Sequence, residues 1–116
     1  MIKWMKKIYN KYMVNHLEDI LLPEFTEEER RYRIVFSGNV QGVGFRYEVW
    51  RMAEKLKVTG FAQNLTNGNV LVEAQGNKDK LIYLVEYMNK IPRIYIDKVE
   101  IDEIEMKEEE GFIPIY

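Results

Sequence analysis

The dipeptide Asn67-Gly68 separates two runs of alternating polarity, which forces an antiparallel pair into the middle of this chain. Asn-Gly is the pair most typical of a two-residue hairpin turn, because both central positions of that turn need positive φ. Strands are therefore expected over 59–65 and 69–75. In the second, Val70, Val72 and Ala74 point inward while Leu71 and Glu73 point outward. A hairpin alone cannot bury its apolar face, so the flanking segments decide the fold.

On the N-terminal side, Tyr32, Ile34 and Phe36 alternate with Arg33 and Val35, giving a first, half-buried strand. From Phe45 the period changes. Phe45, Val49, Met52, Ala53 and Leu56 share one helical face, with Arg51 and Lys55 directed away. Beyond the hairpin, Asn77 suits the N-cap of a second helix whose buried stripe is Leu81, Leu84, Val85 and Met88, and Pro92 sets its limit. A fourth strand is expected over 95–106. Val99 and Ile101 share one parity, Ile104 and Met106 the other, which predicts a bulge near Asp102 and Glu103. Residues 112–116 suit a short edge strand, the one place in a sheet where Pro114 is tolerated. The order β-α-β-β-α-β is the ferredoxin-like α+β sandwich, a mostly antiparallel sheet with both helices on one face.

An extension precedes this unit. Ile2, Met5, Tyr9, Tyr12, Met13, His16 and Ile20 recur at helical spacing up to Pro23. Residues 23–31, PEFTEEERR, form a charged connector in which Thr26 and Glu29 have capping-box spacing, enough for one helical turn. The expected division is an N-terminal helix and connector over 1–31 and a compact domain over 32–116. A signal peptide would continue its basic start with an uninterrupted apolar stretch. Here Asn10, Asn15, His16, Glu18 and Asp19 interrupt it, so the expectation is an amphipathic helix on a cytoplasmic protein. That helix would dock on its own domain or on a second copy, making a monomer or a homodimer. Contact with an anionic membrane through Trp4 and the lysines is the lesser reading.

Composition removes several chemistries. Of 116 residues 47% are apolar, enough for one core. A net charge of −2 argues against a dedicated nucleic-acid binder. There is no cysteine and a single histidine, His16, so thiolate nucleophiles, Cys-ligated metals and a Ser-His-Asp triad are not expected. No metal or cofactor is expected either, and no apolar run reaches the ~18–20 residues of a membrane span.

The strand-to-helix connection over 38–46 reads GNVQGVGFR, with three glycines in seven residues. Such a loop turns its last N–H groups, and the first free ones of the helix, toward one point, and the helix dipole adds to that concavity. Arg46 stands at the helix start, where its planar fork can grip two oxygens of a phosphate. The same composition also fits a tight turn that binds nothing, followed by a solvated arginine. It is neither a P-loop nor a dinucleotide loop, since both spacings are absent.

A second stretch, GFAQNLTNGNVLVEAQG over 60–76, bears on that choice. Together the two stretches resemble the signatures of the acylphosphatase family. The resemblance is strong over 33–76 and looser to residue 116, where FIPIY is similar to family C-termini. It implies an enzyme that hydrolyses small acyl phosphates, acid anhydrides, to carboxylate and inorganic phosphate. It further implies that Arg46 binds the phosphate with the loop amides of Gln41, Gly42, Val43, Gly44 and Phe45, and that Asn64 orients the attacking water. The residue inventory suits this reaction. A carboxylate leaving group, with a conjugate-acid pKa of roughly 4, departs without a general acid. Phosphoryl transfer then asks mainly for positioning and charge stabilisation.

Three positions depart from the family pattern: Asn67 for aspartate, Lys57 for a helix-ending glycine, and Ile91-Pro92-Arg93 for a Gly-Pro-rich link. Two other readings stay open at this point. One is a non-catalytic sensor or interaction domain that binds acyl phosphate or phosphate. The other is an RNA-binding module of the same topology, because GVGFRYEV superficially resembles its signature strand.

Overall fold

The computed structural model describes the backbone of Lys7–Asn10 and residues 28–116. Its strands are β1 (Lys7–Asn10), β2 (Glu29–Asn39), β3 (Thr59–Asn64), β4 (Val70–Asn77), β5 (Tyr95–Ile104) and β6 (Phe112–Ile115). Helix α1 spans Phe45–Leu56 and helix α2 Lys78–Asn89. The sheet order is β1-β5-β2-β4-β3-β6, antiparallel except for the β3–β6 pair. Its central four strands with the two helices make the ferredoxin-like sandwich that the periodicity predicts. Tyr32, Ile34 and Phe36 of β2 and Val70, Val72 and Ala74 of β4 meet Val49 and Ala53 of α1 and Leu81, Leu84, Val85 and Met88 of α2 in one core. Leu71, on the opposite sheet face, is also buried, at 7% exposure. It stands in a central strand between Val35 and Gln63, which cover it from both sides.

Helix ends follow their local chemistry. The Asn77 side chain accepts from the Asp79 N–H at 2.8 Å, capping α2. At the end of α1, Val58 N–H reaches Ala53 O and Lys57 N–H reaches Glu54 O, the two bonds of a Schellman motif. That motif needs a left-handed residue, and Lys57 takes it at φ 59°.

Four expectations are corrected. The hairpin is not a two-residue turn: among the described non-glycine residues only Lys57 has positive φ, so Asn67 does not. Instead Gly68 N–H closes a turn onto Leu65 O, Gly68 takes φ 94°, and Leu65 N–H bonds Asn69 O. This is a type I turn followed by a glycine bulge, with the Asn67 side chain accepting from Asn69 N–H. The bulge in β5 lies at Asp97, opposite the Ser37/Gly38 step, and not near Asp102 and Glu103, where the register with β2 runs unbroken. Next to it Gly38 lies so close to β5 that a Cβ there would sit 2.2 Å from Tyr95 O.

The third and fourth corrections concern the extension. Lys7–Asn10 is a strand paired with β5 from Lys7↔Ile101 to Asn10↔Lys98, where helical spacing predicts helix. The outer edge of β5 presents unpaired backbone groups, and KIYN, with Ile and Tyr, can satisfy them. The remainder of the expected helix, including His16, lies outside the described residues. In the connector, Glu29 to Arg31 continue β2 rather than forming a helical turn, paired with Asn77 to Gln75 of β4. Arg31 is 1% exposed, its guanidinium held by Glu73, Gln75 and Glu109. Arg30 pairs with Glu103 at 3.0 Å. The acidic stretch over 100–110 is thus partly an ion-pair partner for β2, not only a solvated face.

Holding a lysine at positive φ costs about 1–2 kcal/mol, partly offset by the lower unfolded-state entropy of a non-glycine residue. Lys57→Gly should therefore stabilise the chain by up to about 1 kcal/mol, a rise in Tm of about 4–8 °C for a domain of this size, read by thermal denaturation.

Candidate active site

Strands β2, β3 and β6 run in one direction, because β4 is antiparallel to both β2 and β3 and β6 is parallel to β3. All three end at the same edge of the sheet. That edge gathers the glycine loop after β2, Asn64 at the end of β3, and Tyr116 after β6. Val40, Gly42, Gly44, Phe45, Arg46, Tyr47, Asn64 and Tyr116 line one concavity there, with about 270 Å³ of open space.

The loop is anchored at both ends by apolar burial. Val40 is buried, and Phe45, at 2% exposure, packs its ring 4.9 Å from that of Phe36. Gly44 takes φ 78° at the N-cap of α1, and its side-chain-free position leaves the cap without a side-chain bond. Among the described residues, no backbone N–H from Gln41 to Phe45 donates to another protein group. These amides and the α1 N-terminus thus present donors without protein partners beside Arg46.

Arg46 is held by neutral groups. Its Nη1 donates to Ile115 O at 2.7 Å, and its guanidinium carbon lies 4.1 Å from the Tyr116 ring centroid. The Asn64 side chain lines the same concavity, partly exposed. Of the expected site residues, Gly42, Gly44, Phe45, Arg46 and Asn64 are brought together there. The Val43 side chain packs against the core instead, and the Gln41 side chain reaches the hairpin. The Gln41 amide donates to Leu65 O at 2.7 Å and to Asn69 O at 2.8 Å, tying the loop to the hairpin.

A second arginine, Arg93, lies behind the loop, in the link that departs from the family pattern. Arg93 Nε donates to Val43 O at 2.8 Å, and its Nη2 pairs with Glu48. Glu48, at 8% exposure, also accepts from Arg51 at 3.2 Å and from the Tyr87 hydroxyl at 3.1 Å. Arg51, directed away from the apolar face of α1, is half exposed and also donates to the Tyr87 hydroxyl of α2 at 2.9 Å. The hydrogen bond from Arg93 holds the Glu48 carboxyl below its ordinary range, against the upward pull of burial. Burial and the neighbouring Glu48 carboxylate raise the Tyr87 hydroxyl.

GVGFRYEV crosses the loop into α1, with Phe45 buried, so it presents no aromatic strand for stacking bases. No helix among the described residues is long and apolar enough to cross a membrane. No cluster of three metal-ligating side chains occurs among them either.

The concavity thus lies at the strand-to-helix end of a ferredoxin-like sheet, lined by donor-bearing loop residues and Arg46. The chain belongs to the acylphosphatase family, whose sequence model matches residues 32–114. It is 40% identical over 81 residues to an acylphosphatase of Vibrio parahaemolyticus, covering 69% of this chain and 90% of that one. Among solved structures, an acylphosphatase from Coxiella burnetii superposes with a TM-score of 0.71 at 30% identity, covering 81% of this chain and all of that one. The acylphosphatase from Bacillus subtilis gives 0.68 at 34% identity, covering 77% of this chain. Membership places the chain among the enzymes and sets aside the RNA-binding reading.

Because the Glu48 carboxyl is depressed when folded, its contribution to stability is present above the ordinary carboxylate pKa and lost as pH falls through the depressed value. Glu48→Gln should lower Tm clearly at neutral pH and much less in strongly acidic solution, as thermal melts across that range will show.

Proposed function

We propose that this chain hydrolyses small acyl phosphates with Arg46 and the amides of Gln41 to Phe45 holding the phosphoryl group and Asn64 holding the attacking water. The observation that carries the reading is the set of loop amides without protein partners, next to an arginine that no carboxylate pairs with among the described residues. A hydrogen bond to a charged acceptor is worth roughly 1.5–3 kcal/mol, so several amides and a guanidinium suffice to hold a dianion. As the bond to the acyl oxygen breaks, the same donors follow the charge on the equatorial oxygens. Water must attack from the side opposite the leaving carboxylate. Asn64 suits that role because its amide both donates and accepts while remaining neutral. Inorganic phosphate, as product, should occupy the same cradle.

Release of phosphate from a synthetic acyl phosphate by the full chain, in the presence of EDTA, tests the assignment. No turnover, with phosphate still bound at the loop, would favour the non-catalytic sensor. Arg46→Lys keeps the charge but loses the bidentate fork. It should lower kcat/KM by about 10²–10³-fold, nearly as much as Arg46→Ala. A lysine variant with most of the wild-type rate would reduce Arg46 to a general attractive charge. Asn64→Ala should depress kcat by about 10²-fold while barely changing competitive inhibition by inorganic phosphate, since misplacing the water is felt in the transition state. Equal losses in both would move Asn64 into the anion site.

A further inference from the structure

We infer that Arg93 is a positioning residue for the anion loop, setting the direction of the Val43–Gly44 peptide so that the Gly44 N–H faces the bound phosphate; this rests on the phosphate reading of the loop. The argument begins with the peptide unit. A trans peptide is planar, with its C=O and N–H pointing in opposite directions. The Val43 carbonyl is taken by Arg93 Nε at 2.8 Å, so the N–H of the same unit, on Gly44, points away from Arg93. Gly44 is one of the residues that line the concavity. With glycines at 42 and 44, at φ 73° and 78°, the unit has little of its own to stop it rotating.

Arg93 is itself fixed. Its Nη2 pairs with Glu48 in the first turn of α1, and Glu48 is held in turn by Tyr87 of α2. A planar guanidinium can address a carbonyl and a carboxylate at once in one rigid geometry, which a lysine ammonium cannot. Gly44 also lies against it closely: a Cβ there would stand 3.3 Å from Arg93 Nη2. The Glu48 partner neutralises the charge of Arg93, so its effect on the anion is one of direction rather than attraction.

The test uses the full chain, 15N-labelled and titrated with inorganic phosphate, following the Gly44 amide resonance. In the wild type that resonance should shift on phosphate binding. Arg93→Ala should weaken phosphate binding about tenfold, the loss of roughly one charge-assisted hydrogen bond, and abolish the Gly44 shift. Arg51→Ala removes another cation from Glu48 without touching the loop, and should leave both readouts unchanged. Arg93→Lys, which keeps charge and a pairing to Glu48, should resemble Arg93→Ala and serves if the alanine variant does not fold. Restored affinity and a restored Gly44 shift in the lysine variant would overturn the inference, as would equal losses in Arg93→Ala and Arg51→Ala. Phosphate binding at Gly44 without turnover of acyl phosphate would overturn the proposed activity and leave this inference standing.

Discussion

A backbone amide bonds to a protein acceptor or to water, and from Gln41 to Phe45 the described chain supplies no acceptor. A loop in that condition keeps its shape only if it is pinned from outside. The pins are specific: buried Val40 and Phe45 at its ends, the Gln41 side chain on the hairpin carbonyls, and Arg93 on the Val43 carbonyl. Each pin depends on the sheet order. The hairpin tip reaches Gln41 because β4 lies between β2 and β3, and Tyr116 reaches Arg46 because β6 runs parallel to β3. The fold therefore acts on the site chiefly by forbidding the loop to satisfy itself.

Much of this was legible in the sequence, for identifiable reasons. A strand or helix that buries one face must repeat its apolar residues at period 2 or near 3.6, so the order of the central elements could be read directly. Turn type could not, because Asn-Gly serves a two-residue turn and a type I turn with a glycine bulge equally well, and the choice rests on the φ of one residue. The parity change read between Ile101 and Ile104 marks no bulge, and the bulge at Asp97 was missed. Ile96 and Val99 are both buried three residues apart, and the extra residue between them, Asp97, is exposed like its neighbour Lys98. The strand at Lys7–Asn10 was hidden because four residues are too few to separate one period from another, and what decides is a vacant sheet edge far along the chain. Arg31 read as connector because its partners Glu73 and Glu109 are remote in sequence.

The site divides along the same line. Gly42, Gly44 and Arg46 drew attention by residue type, and Asn64 only through the resemblance to the family. Arg93, Glu48 and the Gln41 side chain were not legible, since each acts through another group brought near only by tertiary packing. Arg93 stood out merely as a departure in the link after α2, and that departure is where the loop acquires its backing.

The arginines around the loop differ in how their charges are used, in a chain of net charge −2. Arg93 and Arg51 share the carboxylate of Glu48, so their charges are spent within the protein. Arg46 is held by a carbonyl and an aromatic ring instead, which fix its direction and leave its charge uncancelled. At about 4 Å a unit charge pair near a protein surface is worth roughly 4 kcal/mol, several times a neutral hydrogen bond, so that distinction outweighs the overall charge. Local pairing, and not net charge, decides which arginine an arriving phosphate meets.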